Sequence, residues 1–161
     1  MTEAPRPALR FGSPAELLDR VGTSFGPTGW VEVGQDRIDL FADATGDHQW
    51  IHVDVERSRS GPFAATIAHG YLTLSLFSQF LPELYAVAGA QMSLNVGLNR
   101  VRFLAPVRSG SRIRATGKLA EASLKGSEVQ VVLEVTLSDK AGATVCYLEP
   151  VIRYYAAQDQ T

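Results

Sequence analysis

The sequence predicts an α+β protein, a curved antiparallel sheet of about five strands wrapped around one long buried helix. Three features carry that expectation. From Ala68 to Leu81 the apolar residues Leu72, Leu74, Leu76, Phe77 and Phe80 fall on every side of a helical wheel, so a helix there must be covered on most of its surface. Most of the chain after it changes to period two, the alternation of strands with one wet face. Lys125-Gly126 and Asp139-Lys140-Ala141-Gly142 supply the turns between those strands.

The elements follow in order. Ser13-Pro14-Ala15-Glu16 reads as a capping box with proline at the first helical position, which predicts a short peripheral helix from Pro14 to about Val21. Trp30-Val31-Glu32-Val33 alternates as a strand. Ile38, Phe41 and Ala44 then recur at helical spacing until Gly46 ends the run. A loop from Asp47 to Gly61 is expected, with one turn capped by Asp54. The central helix over Ala68 to Leu81 should stop at Pro82. Strands are expected over Met92 to Val96, Val101 to Phe103, Arg112 to Leu119, Val129 to Leu137, and about Ala143 to Tyr155.

Composition narrows the functional classes. A chain of 161 residues has room for one domain with a proper core, and 45% hydrophobic with 20% charged residues is ordinary for a folded protein. A net charge of -2 and a pI near 5.9 offer no basic face to nucleic acid. Cys146 is the only cysteine, which excludes an intrachain disulfide and fits a reducing cytoplasm. The first ten residues lack the apolar core of a signal peptide, and no run approaches the roughly 18 apolar residues of a membrane span. A soluble cytoplasmic protein without membrane or nucleic-acid partners is expected.

The chemistry-bearing stretch runs from Phe41 to His52. It sets a carboxylate, Asp47, and an imidazole, His52, on a loop just after a helix-ending glycine. A carboxylate that accepts a proton beside an imidazole that donates or positions one is a minimal apparatus for adding water to a polarised double bond. The bland alternative is turn chemistry for Asp47 and a structural role for His52. A second feature is Ala68-His69-Gly70-Tyr71, at the mouth of the central helix, where unpaired N–H groups and the helix dipole can stabilise negative charge on a carbonyl oxygen. Gly70 has no side chain to obstruct that approach, although a glycine packed under the sheet would read the same way. His69 is read as structural. His48, His52 and Asp54 are too crowded in the loop for any metal spacing, so no metal site is expected.

Taken in order, Gly46-Asp47, His52 and His69-Gly70, followed by Leu94-Asn95-Val96-Gly97-Leu98-Asn99-Arg100-Val101-Arg102-Phe103-Leu104-Ala105-Pro106-Val107, resemble the MaoC-like dehydratase family. These are the hot-dog-fold (R)-specific enoyl-CoA hydratases, also called hydratase 2. The likeness spans roughly Trp30 to Tyr155. Gln49-Trp50 stands where the common signature has Asn-Pro, and this departure is similar to the nodulation-protein-N-like and actinobacterial single-domain branch. The resemblance implies an N-terminal extension over 1–26, a hot-dog domain over 27–157 and a tail over 158–161. It further implies that Asp47 and His52 hold the attacking water and handle its protons, while the Gly70 N–H binds the thioester oxygen. Ser75, one helical turn after Tyr71, matches a family position near the site, or is a hydroxyl bonded back to the helix. Tyr71 is a substrate-side candidate by its place at the helix mouth.

The implied activity is hydration of trans-2-enoyl-CoA to (R)-3-hydroxyacyl-CoA, with no metal or redox cofactor and the coenzyme A thioester as substrate. Arg100 and Arg102 are candidates for the coenzyme A phosphates, against the alternative of a solvated strand face. The rival activities are thioester hydrolysis on the same fold and acyl-thioester binding without turnover. A homodimer is expected, because a lone hot-dog sheet leaves an edge open and the resemblance implies sites built where two subunits meet.

Overall fold

The computed structural model describes residue 7 and residues 9–156. The expected tail over 158–161, and most of the leading residues inspected for a signal peptide, lie outside the described residues. The elements are β1 (Arg10–Phe11), a 3-10 helix (Pro14–Asp19), β2 (Ser24–Phe25), β3 (Val31–Val33), α1 (Gln35–Thr45), α2 (Trp50–Val53), α3 (Val55–Arg59), α4 (Gly70–Ser75), α5 (Phe77–Leu84), β4 (Ala86–Val87), β5 (Ala90–Phe103), β6 (Ser111–Lys125), β7 (Glu128–Asp139) and β8 (Thr144–Ala156). This is the expected α+β class.

The main sheet has the order β2-β6-β7-β8-β5, with β3 also paired to β6. Its long strands are antiparallel neighbours joined by the turns that Gly126 and Gly142 make with positive φ. Six strands rather than about five result, because the short β2 and β3 each take a different stretch of β6. A parallel two-stranded ribbon, β1 with β4, lies beside it. Met92 to Val96 and Val101 to Phe103 form one strand, β5, whose register against β8 slips between Asn95 and Gly97 and again between Leu98 and Val101. Each slip interrupts the alternation from which strands are recognised, so one bulged strand looks like two.

The core forms where Val131, Leu133, Val135 and Leu137 of β7, with Ile113 and Leu119 of β6, meet Phe80 and Leu84 of α5. The N-terminal segment joins that core through Phe11, Leu17 and Phe25. The first helix is therefore not peripheral: it is a 3-10 turn capped by the Ser13 hydroxyl on the Glu16 N–H, and it drives Leu17 into full burial.

The central helix departs from its expected form in two ways. It is interrupted at Leu76, and it runs through Pro82 to Leu84. The hydroxyls of Thr73 and Ser75 donate back to the carbonyls of His69 and Tyr71 just before the break, a contact that bends helices. Pro82 lies on the exposed side two residues before the end, where its missing N–H removes a single ladder bond. Burial is also one-sided, with Leu72, Thr73, Phe77 and Phe80 covered while Tyr71, Ser75, Ser78 and Gln79 face outward. On that outer face Tyr71 is 71% exposed. The segment between Asp47 and Gly61 folds as α2 and α3, with the Asp54 carboxylate accepting from the Arg57 N–H as the cap of α3.

Candidate active site

Helix α1 ends at Gly46, whose left-handed φ of 76° lets its N–H reach the Ala42 carbonyl at 2.8 Å. The chain then reverses at Asp47. The Asp47 N–H donates to the Thr45 hydroxyl at 3.4 Å, and its carboxylate accepts from the Gln49 N–H at 3.3 Å. This turn leaves the carboxylate 53% exposed. Gln49 then starts the single turn of α2, which carries His52 inward to 6% exposure.

His52 is fixed by its neighbours on three sides. Its Nδ1–H donates to the Ile67 carbonyl at 2.7 Å, which leaves Nε2 with its lone pair. The Ile67 N–H in turn donates to the Ile51 carbonyl at 3.0 Å. From α1, the Gln35 amide donates to the His52 carbonyl at 2.7 Å and accepts from the Thr66 hydroxyl. Burial is the largest influence on the imidazole and lowers its pKa below the usual 6.5, opposed by the Ile67 bond, reinforced by His69 and opposed again by Asp47. The neutral form, able to take a proton on Nε2, is thereby favoured at physiological pH.

His69, read from the sequence as structural, joins the pair directly. It is 3% exposed, its Nε2–H donates to the Asp47 carbonyl oxygen at 2.9 Å, and its ring stacks on His52 with centroids 3.8 Å apart. Side-chain donor atoms of Asp47, His52 and His69 all lie within 4.8 Å of one another. Such a trio invites a metal reading. Imidazole lone pairs lie in the ring plane, however, and rings inclined by only 25° in a stack do not converge on one cation. With His52 Nδ1 and His69 Nε2 already committed to carbonyls, the set fits proton handling better than ligation.

Gly70, immediately after His69, opens α4, so its N–H belongs to the first turn that has no intrahelical acceptor. A Cβ at Gly70 would meet the Phe103 ring at 3.0–3.2 Å, so the space above this backbone is capped by an aromatic ring. Gly70, Ile67, Thr73, Phe103 and Val107 line a largely apolar cavity of about 350 Å³. Tyr71 stands edge-on to Phe103 at 6.1 Å. Ser75 is exposed and its hydroxyl is bonded to the Tyr71 carbonyl at 2.7 Å. Arg100 lies over the Tyr147 ring at 5.9 Å, and Arg102 donates to the carbonyl of its neighbour Val101. Both arginines are exposed on β5. Sequence patterning missed His69 and Gln35. His69 had a signal, its place next to Gly70 in the quoted motif, whereas Gln35 had none.

The family model described as MaoC like domain matches residues 16–141. The 3-hydroxyacyl-thioester dehydratase Z of Mycobacterium tuberculosis is 45% identical over 148 residues, covering 91% of this chain and 98% of that protein. Nodulation protein N of Rhizobium leguminosarum bv. viciae is 46% identical over 126 residues, covering 76% of this chain and 78% of that protein. Among solved structures, an R-hydratase from Pseudomonas aeruginosa in unliganded form superposes with a TM-score of 0.68 at 24% identity, covering 85% of this chain and 83% of that one. This last likeness establishes the hot-dog fold.

Proposed function

The chain belongs to the MaoC-like dehydratase family, and on that premise we propose that it is a hydro-lyase adding water reversibly to trans-2-enoyl-CoA to give (R)-3-hydroxyacyl-CoA. One observation carries the assignment of roles. His52, held neutral with Nε2 free, lies beside the exposed Asp47 carboxylate, so a water can be bound between an acceptor and a proton relay.

The steps follow from charge. Asp47 and His52 take the proton from the water as its oxygen attacks C3 of the enoyl group. The electron pair moves to the thioester oxygen, where the Gly70 N–H offers a donor for the developing negative charge. Protonation at C2 completes the addition, and the reverse sequence eliminates water. These roles call for neither a metal nor a redox cofactor, and the coenzyme A thioester is substrate. Arg100 and Arg102, being exposed and, among the described residues, without an acidic partner within salt-bridge distance, are available to the coenzyme A phosphates.

A homodimer is the working form in this proposal. Strand β5 is an unpaired edge whose Met92, Leu94, Val96 and Leu98 are 43–47% exposed, and Phe103 and Leu104 extend the apolar stripe. Among the described residues no helix is long and apolar enough to cross a membrane. A buried Cys146, its thiol pushed up to about 11 by desolvation, suits the reducing cytoplasm we assign to the protein.

The test is turnover of crotonyl-CoA and of a long-chain enoyl-CoA, followed by loss of the conjugated thioester absorbance, with chiral analysis of the product. Hydration without free thiol supports the proposal. Free thiol in place of hydration would establish a thioesterase, and acyl-CoA binding without either product would establish a binding domain. Sedimentation at assay concentration tests the oligomer, since a fully active monomer contradicts it.

A further inference from the structure

We propose that His69 is a positioning residue, tying the loop that carries Asp47 to the helix mouth and holding the His52 ring by stacking. The inference rests on the roles given above to Asp47 and His52 and adds a residue that sequence patterning assigns only a structural role.

Among the described residues the buried side chain of His69 makes one hydrogen bond, to the Asp47 carbonyl, and the same Nε2 lies 3.9 Å from the Asp47 carboxylate. Its other nitrogen, Nδ1, is buried without a partner among the described residues. An imidazole with half its polar capacity unmet is a poor filler for a core, where an aliphatic or aromatic side chain packs without that cost. The residue is therefore explained by its bond to Asp47 and not by packing alone. The placement is also economical in chain terms. His69 is the residue before α4, two positions after Ile67, whose carbonyl orients His52. The short stretch from Ile67 to His69 thus holds the imidazole through Ile67 and the carboxylate-bearing turn through His69. The flat face of His69 lies against His52 on one side, with Phe41 of α1 at 5.0 Å as a further aromatic neighbour. Rotation of the His52 ring would have to break this stack, and displacement of the Asp47 backbone would have to break the His69 bond. His69 has no need to touch substrate for this.

Two variants separate the bond from the bulk. His69→Leu keeps apolar volume and removes the donor, whereas His69→Gln restores an N–H close to where Nε2 stood. We expect His69→Leu to lower kcat by ~10-fold while KM moves less than about twofold, and His69→Gln to recover kcat to within about threefold of the parent. Amide hydrogen exchange supplies a readout independent of turnover: the amides from Asp47 to Gln49 should exchange at least ~10-fold faster in His69→Leu, with the Leu133 amide of the core unchanged and His69→Gln close to the parent. Where His69→Leu impairs folding, His69→Asn, whose shorter amide does not span to the Asp47 carbonyl, takes its place. Unaltered kcat and loop exchange in a folded His69→Leu or His69→Asn protein would overturn the inference. So would a His69→Gln protein as impaired as His69→Leu. If the parent protein does not hydrate enoyl thioesters, the functional proposal fails by itself, and the exchange measurements still decide the positioning role.

Discussion

Asp47 and His52 belong to one site but are held in opposite ways. Asp47 is fixed through its backbone, with the Thr45 hydroxyl on its N–H and His69 on its carbonyl, and its carboxylate stays half in solvent. His52 is fixed through its side chain as well, by the Ile67 carbonyl and the face of His69, and is almost wholly enclosed. The open side can meet water and substrate without rearrangement. The closed side sets which nitrogen carries the proton and how readily a second one is taken up. An acid–base pair needs both properties, and they are hard to combine in one residue because burial and access oppose each other.

The largest effect should come from removing either half. Asp47→Asn and His52→Ala are each expected to lower kcat by at least ~10², with KM shifting less. Because both act on one water in the proposed mechanism, the double variant should lose little more than the worse single one; full additivity in activation free energy would show that the two sides work independently. Thermal unfolding checks that each variant stays folded. Gly70→Val probes the substrate's side of the same site. The added side chain meets the Phe103 ring beside the proposed backbone donor, so kcat/KM should fall by ~10-fold or more. Kinetics unchanged in the folded variant would remove Gly70 from the mechanism.

Smaller effects distinguish the two modes of support. Gln35→Leu deletes the amide that donates to the His52 carbonyl, and a loss of about 1 kcal/mol in stability with a kcat lowered by ~5-fold is expected from urea melts and steady-state rates. The enclosure of His52 has a pH signature. Its pKa lies below 6.5 chiefly through burial, so the acid limb of kcat/KM should fall below 6.5, with activity lost as pH drops through the lowered value. Stability carries the same sign: the unfolded chain takes up this proton near 6.5 and the folded one resists, so His52 weakens the fold as pH falls from 6.5 to the lowered pKa and has no effect above it. His52→Gln should remove that portion of the pH dependence in urea midpoints. Thr45→Val, which loses only the long 3.4 Å contact to the Asp47 N–H and a bond to the Phe41 carbonyl, should leave kcat within about twofold.

Strands β7 and β5 show why the site and fold were unequally legible. Both present alternating apolar residues, and both were recognised as strands from that alternation. In β7 the row Val129, Val131, Leu133, Val135 and Leu137 is buried within the chain, whereas in β5 the row Met92, Leu94, Val96 and Leu98 is exposed. Alternation states that one face is apolar, and only what packs on that face decides whether it is covered: the β7 row meets Phe80 and Leu84 of α5 in the core, while β5 is an edge strand of the sheet. The helix at Leu76 is a similar case, since its wheel told of apolar content but not of the hydroxyl contacts that interrupt it.

By itself the sequence determined what is set within a few residues of chain. Gly46 ends a helix because it adopts the left-handed conformation without strain, the spacing from Asp47 to His52 keeps both within one short stretch of chain after it, and the period-two runs lay down the long strands. Tertiary structure alone decided that His69 bonds to Asp47 across 22 positions, that Gln35 reaches the His52 carbonyl, and that Phe11 and Leu17 enter the core. Such contacts depend on how the intervening chain is routed, and routing is fixed by the burial of the whole core rather than by any local pattern. The protonation of His52 belongs with them, because desolvation is a property of everything packed around the ring.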